Sequence, residues 1–400
     1  MAYRVNLLCF FFLFIAPELF GAEGDFNWRP AFLEKLSGRG VEIFADYTNN
    51  IAGNPIGGQR QGFTYADSTQ FGVNLDFEKL VGWDGLQISA SAFDRNGQSL
   101  SDDAIGNIFT VQQVYGGETF SFYSLYFDQE FAEGKASLKA GRFTVGDDFA
   151  TSSIYGLYMN YGIDSNPQSL TMIPGFSSSP EAVWGARIRL DPAPGWQVLA
   201  GAFQSTTLDL YSDHGFDWAI HSSDGILLIG QVGWSTELGK SSSGSGLPGN
   251  YWFGGFATTP QSGVDAGPSA HGFYWHGDQM VLREKDKGAE GLALWAVFVL
   301  TQPDSSSPVP FQINAGLVYT GLIPGRDEDV AMAGLASGQI GALEPDASGN
   351  DWEAVLEVGY RIQFPGTAFF QPNLQWILDP GGQGDIPNAL VLGAQMGVSF

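Results

Sequence analysis

Along most of the chain, apolar side chains recur at every second position. In DWEAVLEVGYRIQF, Trp352, Ala354, Leu356, Val358, Tyr360, Ile362 and Phe364 share one parity. Glu353, Val355, Glu357, Gly359, Arg361 and Gln363 share the other. The last residues repeat the pattern: Leu390, Leu392, Ala394, Met396, Val398 and Phe400 alternate with Val391, Gly393, Gln395, Gly397 and Ser399. A period of two is strand geometry, because successive side chains point to opposite faces of a sheet. Comparable segments fall at 41–47, 70–77, 86–94, 120–130, 136–143, 181–190, 196–204, 226–235, 250–257, 271–282, 290–300, 310–321 and 369–378. The reading is all-β.

Two architectures give one greasy and one wet face. A soluble sandwich buries the apolar face between sheets; a transmembrane barrel turns it out to lipid and lines a watery lumen with the polar face. Three features favour the barrel. Trp352 and Tyr360 stand eight residues apart on the apolar face, roughly 26 Å along a strand, or about 20 Å once tilted, close to the apolar band between aromatic girdles. The polar faces mix charges of both signs with glycine, which suits a wet interior. The last strand ends on Phe400, an aromatic that a barrel-assembly machinery is expected to read. The composition agrees, with 54 glycines and 14% aromatics. Bacterial barrels carry an even number of strands, so the segments found, with the weaker 154–162 stretch, predict a transmembrane antiparallel β-barrel of sixteen. A barrel of that size holds an aqueous channel. The Gly- and Ser-rich gaps at 95–119 and 144–180 are long enough to fold inward and narrow it.

The N-terminus reads as an export signal. Arg4 precedes an apolar run from Leu7 to Ala16, with small residues at Gly21 and Ala22, too short a run to span a bilayer. The predicted organisation is a signal peptide over 1–22, a short periplasmic segment with a helix over 23–40, and the barrel over 41–400. Cys9, the one cysteine, lies in the signal, so no disulfide or CxxC metal site follows. The net charge of −25 argues against nucleic acid as a partner. There is no GxSxG element for a hydrolase on a barrel, and the histidines His214, His221, His271 and His276 lack metal-ligand spacing and read as loop polarity. No cofactor is implied. An adhesin and a non-selective porin are the other readings the pattern admits.

Several stretches resemble the carbohydrate-selective porins of Gram-negative outer membranes, the OprB-type family. They are LDFEKLVGWDG (75–85), GQSLSDDAIGNIFTV (97–111), LKAGRFTVGDDFATS (138–152), WGARIRL (184–190), LPGNYWFGG (247–255), DQMVLRE (278–284), NAGLVYTGLIPGRDEDV (314–330) and QPNLQWILDPGG (371–382), with the terminal strand. They cover nearly all of the predicted mature chain. The resemblance implies passive diffusion of monosaccharides, glucose especially, across the outer membrane. Outer-membrane lipid and the barrel-assembly machinery would be its other partners. Porins are often homotrimers, but no residue pattern here identifies a subunit interface, and the stoichiometry stays open.

A sugar channel needs polar groups to replace the hydroxyls' water, and binding weak enough for release. Parity places Arg187, Arg189, Glu353, Glu357, Arg361, Asp76 and Glu42 on the wet face. Arg187 and Arg189 are the chosen constriction, since a guanidinium offers five donors and keeps its charge. Asp94, Arg95, Asp147 and Asp148 are assigned to the inward loops. Trp218, Tyr251, Trp252 and Tyr274 are placed in or near loops, and Trp184 in the lipid girdle. Arg142 shares the apolar parity of Leu138 and Ala140, so it must lie beyond the lipid band or mark a break in register.

Overall fold

In the computed structural model the described residues are 31–206, 210–241, 244–260, 269–285, 288–301, 307–341 and 352–400. The predicted signal peptide lies outside them. A short helix, α1 (Ala31–Ser37), leads into sixteen antiparallel strands. These are β1 (Val41–Ile56), β2 (Phe63–Asp76), β3 (Leu86–Gly97), β4 (Thr119–Phe131), β5 (Ala136–Phe143), β6 (Val183–Ala193), β7 (Trp196–Ser205) and β8 (Gly225–Lys240). They continue with β9 (Gly246–Thr258), β10 (His271–Arg283), β11 (Gly291–Thr301), β12 (Phe311–Thr320), β13 (Val330–Gln339), β14 (Trp352–Gln363), β15 (Phe369–Leu378) and β16 (Ala389–Ser399). Each pairs with its neighbours in sequence, and β16 closes on β1 with Gln395 opposite Asn50 and Gly393 opposite Ala52. Closure removes the free sheet edges that hydrocarbon could not satisfy.

The parity assignments hold around the wall. Ile188, Leu228, Phe253, Leu294, Leu356 and Leu392 all point outward and are exposed, a belt that water would not tolerate and lipid does. The sixteenth strand is β13, and the 154–162 stretch is part of an inward loop with a 3₁₀ turn at Tyr155–Leu157. Strand β13, VAMAGLASGQ, shows weak alternation because its inner residues are small for a packing reason. A Cβ on Gly334 would lie 2.7 Å from the Tyr158 ring, and one on Gly338 would lie 2.6 Å from Phe109. Those rings belong to the two long connections, 98–118 and 144–182, and both connections fold into the barrel.

Inside the barrel, Phe109, Val111, Phe149, Tyr155, Tyr158, Met159, Ile163 and Leu170 form one buried cluster with wall residues Phe203, Leu227, Ile229, Trp252, Phe256, Tyr274, Trp295, Val297 and Val299. The inward loops do more than narrow the lumen: on its β7–β11 side they pack with the wall into an apolar core. Burying side chains of this size contributes about 1.5–3 kcal/mol each. Trp252, Tyr274 and His276, assigned to loops from the sequence, are strand residues of this inner wall. His276 stacks on Trp252 at 4.7 Å, and its Nδ1 is 2.7 Å from the hydroxyl of Tyr155.

Candidate functional site

The β12–β16 wall holds the inward loops by polar contacts. Buried Glu353 accepts backbone N–H bonds from Ile108 (2.8 Å), Phe109 (2.6 Å) and Gly381 (2.7 Å). Buried Glu357, four residues along the same face of β14, accepts from Met159 N (2.7 Å), Asn160 N (2.9 Å) and Asn373 Nδ2 (2.6 Å). Gln312 accepts from Ser169 N and donates to Gly162 O, while Gln375 donates to Val111 O. These carboxylates thus clasp loop backbone.

One open space lies against β1–β5. A cavity of about 340 Å³ is lined by Phe44, Gln70, Asn74, Ser89, Ser91, Tyr123, Ser124, Tyr126, Lys139 and Asp147. Strand parity brings the wall residues here, and a missing side chain shapes it: a Cβ on Gly72 would lie 2.7 Å from the Phe44 ring, which crosses β2 at that point. At one level of the wall, Asp128, Lys139 and Arg187 sit opposite one another on β4, β5 and β6. Asp148 from the 144–182 loop completes the group: Lys139 Nζ is 3.0 Å from Asp148, and Arg187 Nη2 is 2.8 Å from Asp128 and 3.2 Å from Asp148. Lys139 also lies 4.3 Å from the centres of both the Tyr126 and Phe143 rings. Asp147 accepts the Tyr123 hydroxyl at 2.6 Å. Arg189 stands nearer the short-turn end, paired with Glu130 at 3.2 Å. The chemistry is that of a wet lane: hydroxyl donors and acceptors along one wall, aromatic faces beside them, and fixed charges of both signs.

The comparisons with known proteins agree with this geometry. The sequence profile described as "Carbohydrate-selective porin, OprB family" matches residues 60–400. The chain belongs to that family. Porin B of Pseudomonas aeruginosa is 26% identical over 416 residues, covering 93% of this chain and 89% of the relative. The high-pH structure of Pseudomonas putida OprB aligns with a TM-score of 0.80 at 25% identity, covering 92% of this chain and 96% of that one. Salmonella typhi OmpF shares the fold at a TM-score of 0.53 and 9% identity, covering 91% of this chain and 98% of that one. This protein is thus a carbohydrate-selective channel of the outer membrane and not an enzyme.

In this porin the remaining candidate residues separate. Asp94 and Arg95 are not loop residues; both lie in β3. Adjacent strand residues face opposite sides, so Arg95 points inward with Ser89 and Ser91. Asp94 takes the outward parity of Ala90 and Ala92, where the Asn96 amide donates to it at 3.3 Å. Asp94 is therefore removed from the lumen. Arg95 is buried, 5.1 Å from the Phe93 ring centre, with a single long bond of 3.5 Å to Ser179 Oγ. Inward-facing Arg361 donates to Gln371 Oε1 (2.7 Å) and Gly156 O (2.8 Å). Between these two cations the 144–182 loop presents Asp164, in the field of both. Burial pushes the Asp164 carboxyl up from its usual range, and the Ser165 N–H and the two guanidiniums draw it partly back. Sequence reasoning missed Lys139 and Asp164. The parity opposite to Leu138 and Ala140 already marked Lys139, whereas Asp164 had no periodic signal.

Proposed function

We propose that monosaccharides, glucose among them, cross this porin through the lane along β1–β5, between the inward loops and the wall. The cavity carries the reading: its 340 Å³ is at the low end for small-molecule sites, suited to a single sugar ring, and it joins aromatic faces to hydroxyl-binding groups. Lys139, Asp147 and Asp148 serve hydroxyls within the lane, and Arg187 holds Asp128 and Asp148 in place. Arg95 and Arg361 donate from either side of Asp164, which accepts. Arg189 and Glu130 line the short-turn mouth, and Glu353 and Glu357 act by fixing the loops. Conduction requires that each of these contacts be weak enough for release.

The same proposal covers biogenesis. The precursor is cut near Ala22, residues 23–40 precede the barrel in the periplasm, and the assembly machinery reads the strand ending in Phe400, whose N–H donates to Ala45 O at 2.8 Å. A homotrimer surrounded by outer-membrane lipid rests on the family resemblance alone. Liposome swelling with sugars of graded size tests the function. Rapid entry of glucose with exclusion of tetrasaccharides is expected; equal entry of both would refute a lane of single-ring width.

A further inference from the structure

The connection between β7 and β8 is described from residue 210 to residue 224. Its 214–221 stretch turns back over the outer face of β4–β6. Phe122 N donates to His214 O at 2.8 Å, and His214 Nδ1 is 2.9 Å from Phe120 O. Gly215 has φ +74° and lies tight against the Phe122 backbone, an approach that leaves no room for a side chain. Trp184 Nε1 donates to Trp218 O at 3.0 Å, and Gln204 Nε2 to Ala219 O at 3.2 Å. The Phe122 ring meets Phe216 at 5.6 Å and Trp218 at 5.5 Å.

This stretch also resolves the position of Arg142. The register of β5 continues through it, opposite Leu125 and Trp184, so its side chain leaves on the lipid side. There it is enclosed: it donates to Asp217 O and, at 2.9 Å, to Ala182 O, and its guanidinium lies 5.7 Å from the Trp218 ring centre. A charge on that face is tolerable because the strap covers it and its carbonyls accept from it.

Two large apolar side chains on the strap are left exposed: Phe216, at the edge of its contact with Phe122, is 60% exposed and Ile220 is 73% exposed. Beside them the wall continues with outward Phe120, Phe127, Ile188 and Leu190, all exposed. Polar side chains on and beside the strap, Asp213, Asp217, His221 and Asp224, accompany these apolar ones. An amphipathic segment seated at the edge of an apolar belt matches the boundary between headgroups and acyl chains.

We propose that residues 214–221 are a lipid-seated strap, with Phe216 and Ile220 entering the outer leaflet and Arg142 locking the segment to the wall. This rests on the outward face meeting lipid, and is independent of which sugar passes. The test uses the full chain with Cys9 replaced, reconstituted in phosphatidylcholine vesicles. Phe216→Cys and Ile220→Cys are each labelled with a small fluorophore, with Leu294→Cys as the lipid-facing reference and Gly244→Cys as the aqueous one. Phosphatidylcholine carrying a nitroxide near the headgroup end of its acyl chain should quench positions 216 and 220 about as fully as position 294. Adding Arg142→Met should reduce that quenching and increase quenching by aqueous iodide. Iodide quenching like that at position 244 from the outset would overturn the proposal. So would protection from both quenchers with cross-linking to a second copy, which would make the strap a subunit contact.

Discussion

Glu353→Ala and Glu357→Ala together should raise single-channel conductance severalfold and abolish discrimination between glucose and longer saccharides. Each carboxylate accepts from several donors at once: Ile108, Phe109 and Gly381 for one, Met159, Asn160 and Asn373 for the other. Leaving a buried donor without its acceptor costs about 1–3 kcal/mol, so losing several at once is a substantial part of a domain's net stability. The loops would still hold aromatic contacts to β8–β11, so the barrel itself should assemble, while the 98–118 and 155–163 stretches lose their seat on β14. Planar-bilayer recordings check the conductance, and swelling assays check the discrimination. Conductance and size limit at wild-type values in a folded double variant would show that the clasp does not set the pore.

The opposite result is expected from filling the lane. Ser89→Trp places an indole in the cavity between β2 and β4, where Ser89 now donates to Asn74 Oδ1 at 2.8 Å. Ion current and sugar entry should both fall by more than about tenfold, a loss equivalent to roughly 1.4 kcal/mol or more in the transfer barrier. Circular dichroism of the variant in detergent would confirm that the strands are intact. A folded Ser89→Trp channel with normal current would place the route elsewhere in the lumen.

Much of this was legible from periodicity. Strand β14 announces itself in DWEAVLEVGYRIQF, and its polar parity gave the inward positions of Glu353, Glu357 and Arg361 before any coordinate. The apolar core was also written in the chain. In β11, GLALWAVFVL is apolar on both parities, which a strand between lipid and water cannot be, and the inner parity faces the loop core. Strand β13 was hidden because Gly334 and Gly338 are small to admit Tyr158 and Phe109, a reason located more than a hundred residues away. The same parity rule applied to SASAFDRNG separates Asp94 from Arg95; treating the pair as loop residues obscured that. The neighbourhood of Arg95, Asp164 and Arg361 could not be read from one-dimensional pattern, because it depends on how the 144–182 loop folds across the lumen. Arg187 illustrates the gap between placing a residue and knowing its role: parity turned it inward, and tertiary structure gave its charge to Asp128 and Asp148.

The route itself can be measured with single cysteines, since Cys9 is the sole native one. Ser124→Cys lies on the cavity lining and Val297→Cys in the buried core between β10 and β12. A membrane-impermeant methanethiosulfonate should react rapidly at position 124, reducing the current and being slowed by glucose, and should leave position 297 untouched. Equal reactivity at the two positions, or rapid reaction at 297 alone, would contradict a lane confined to the β1–β5 wall.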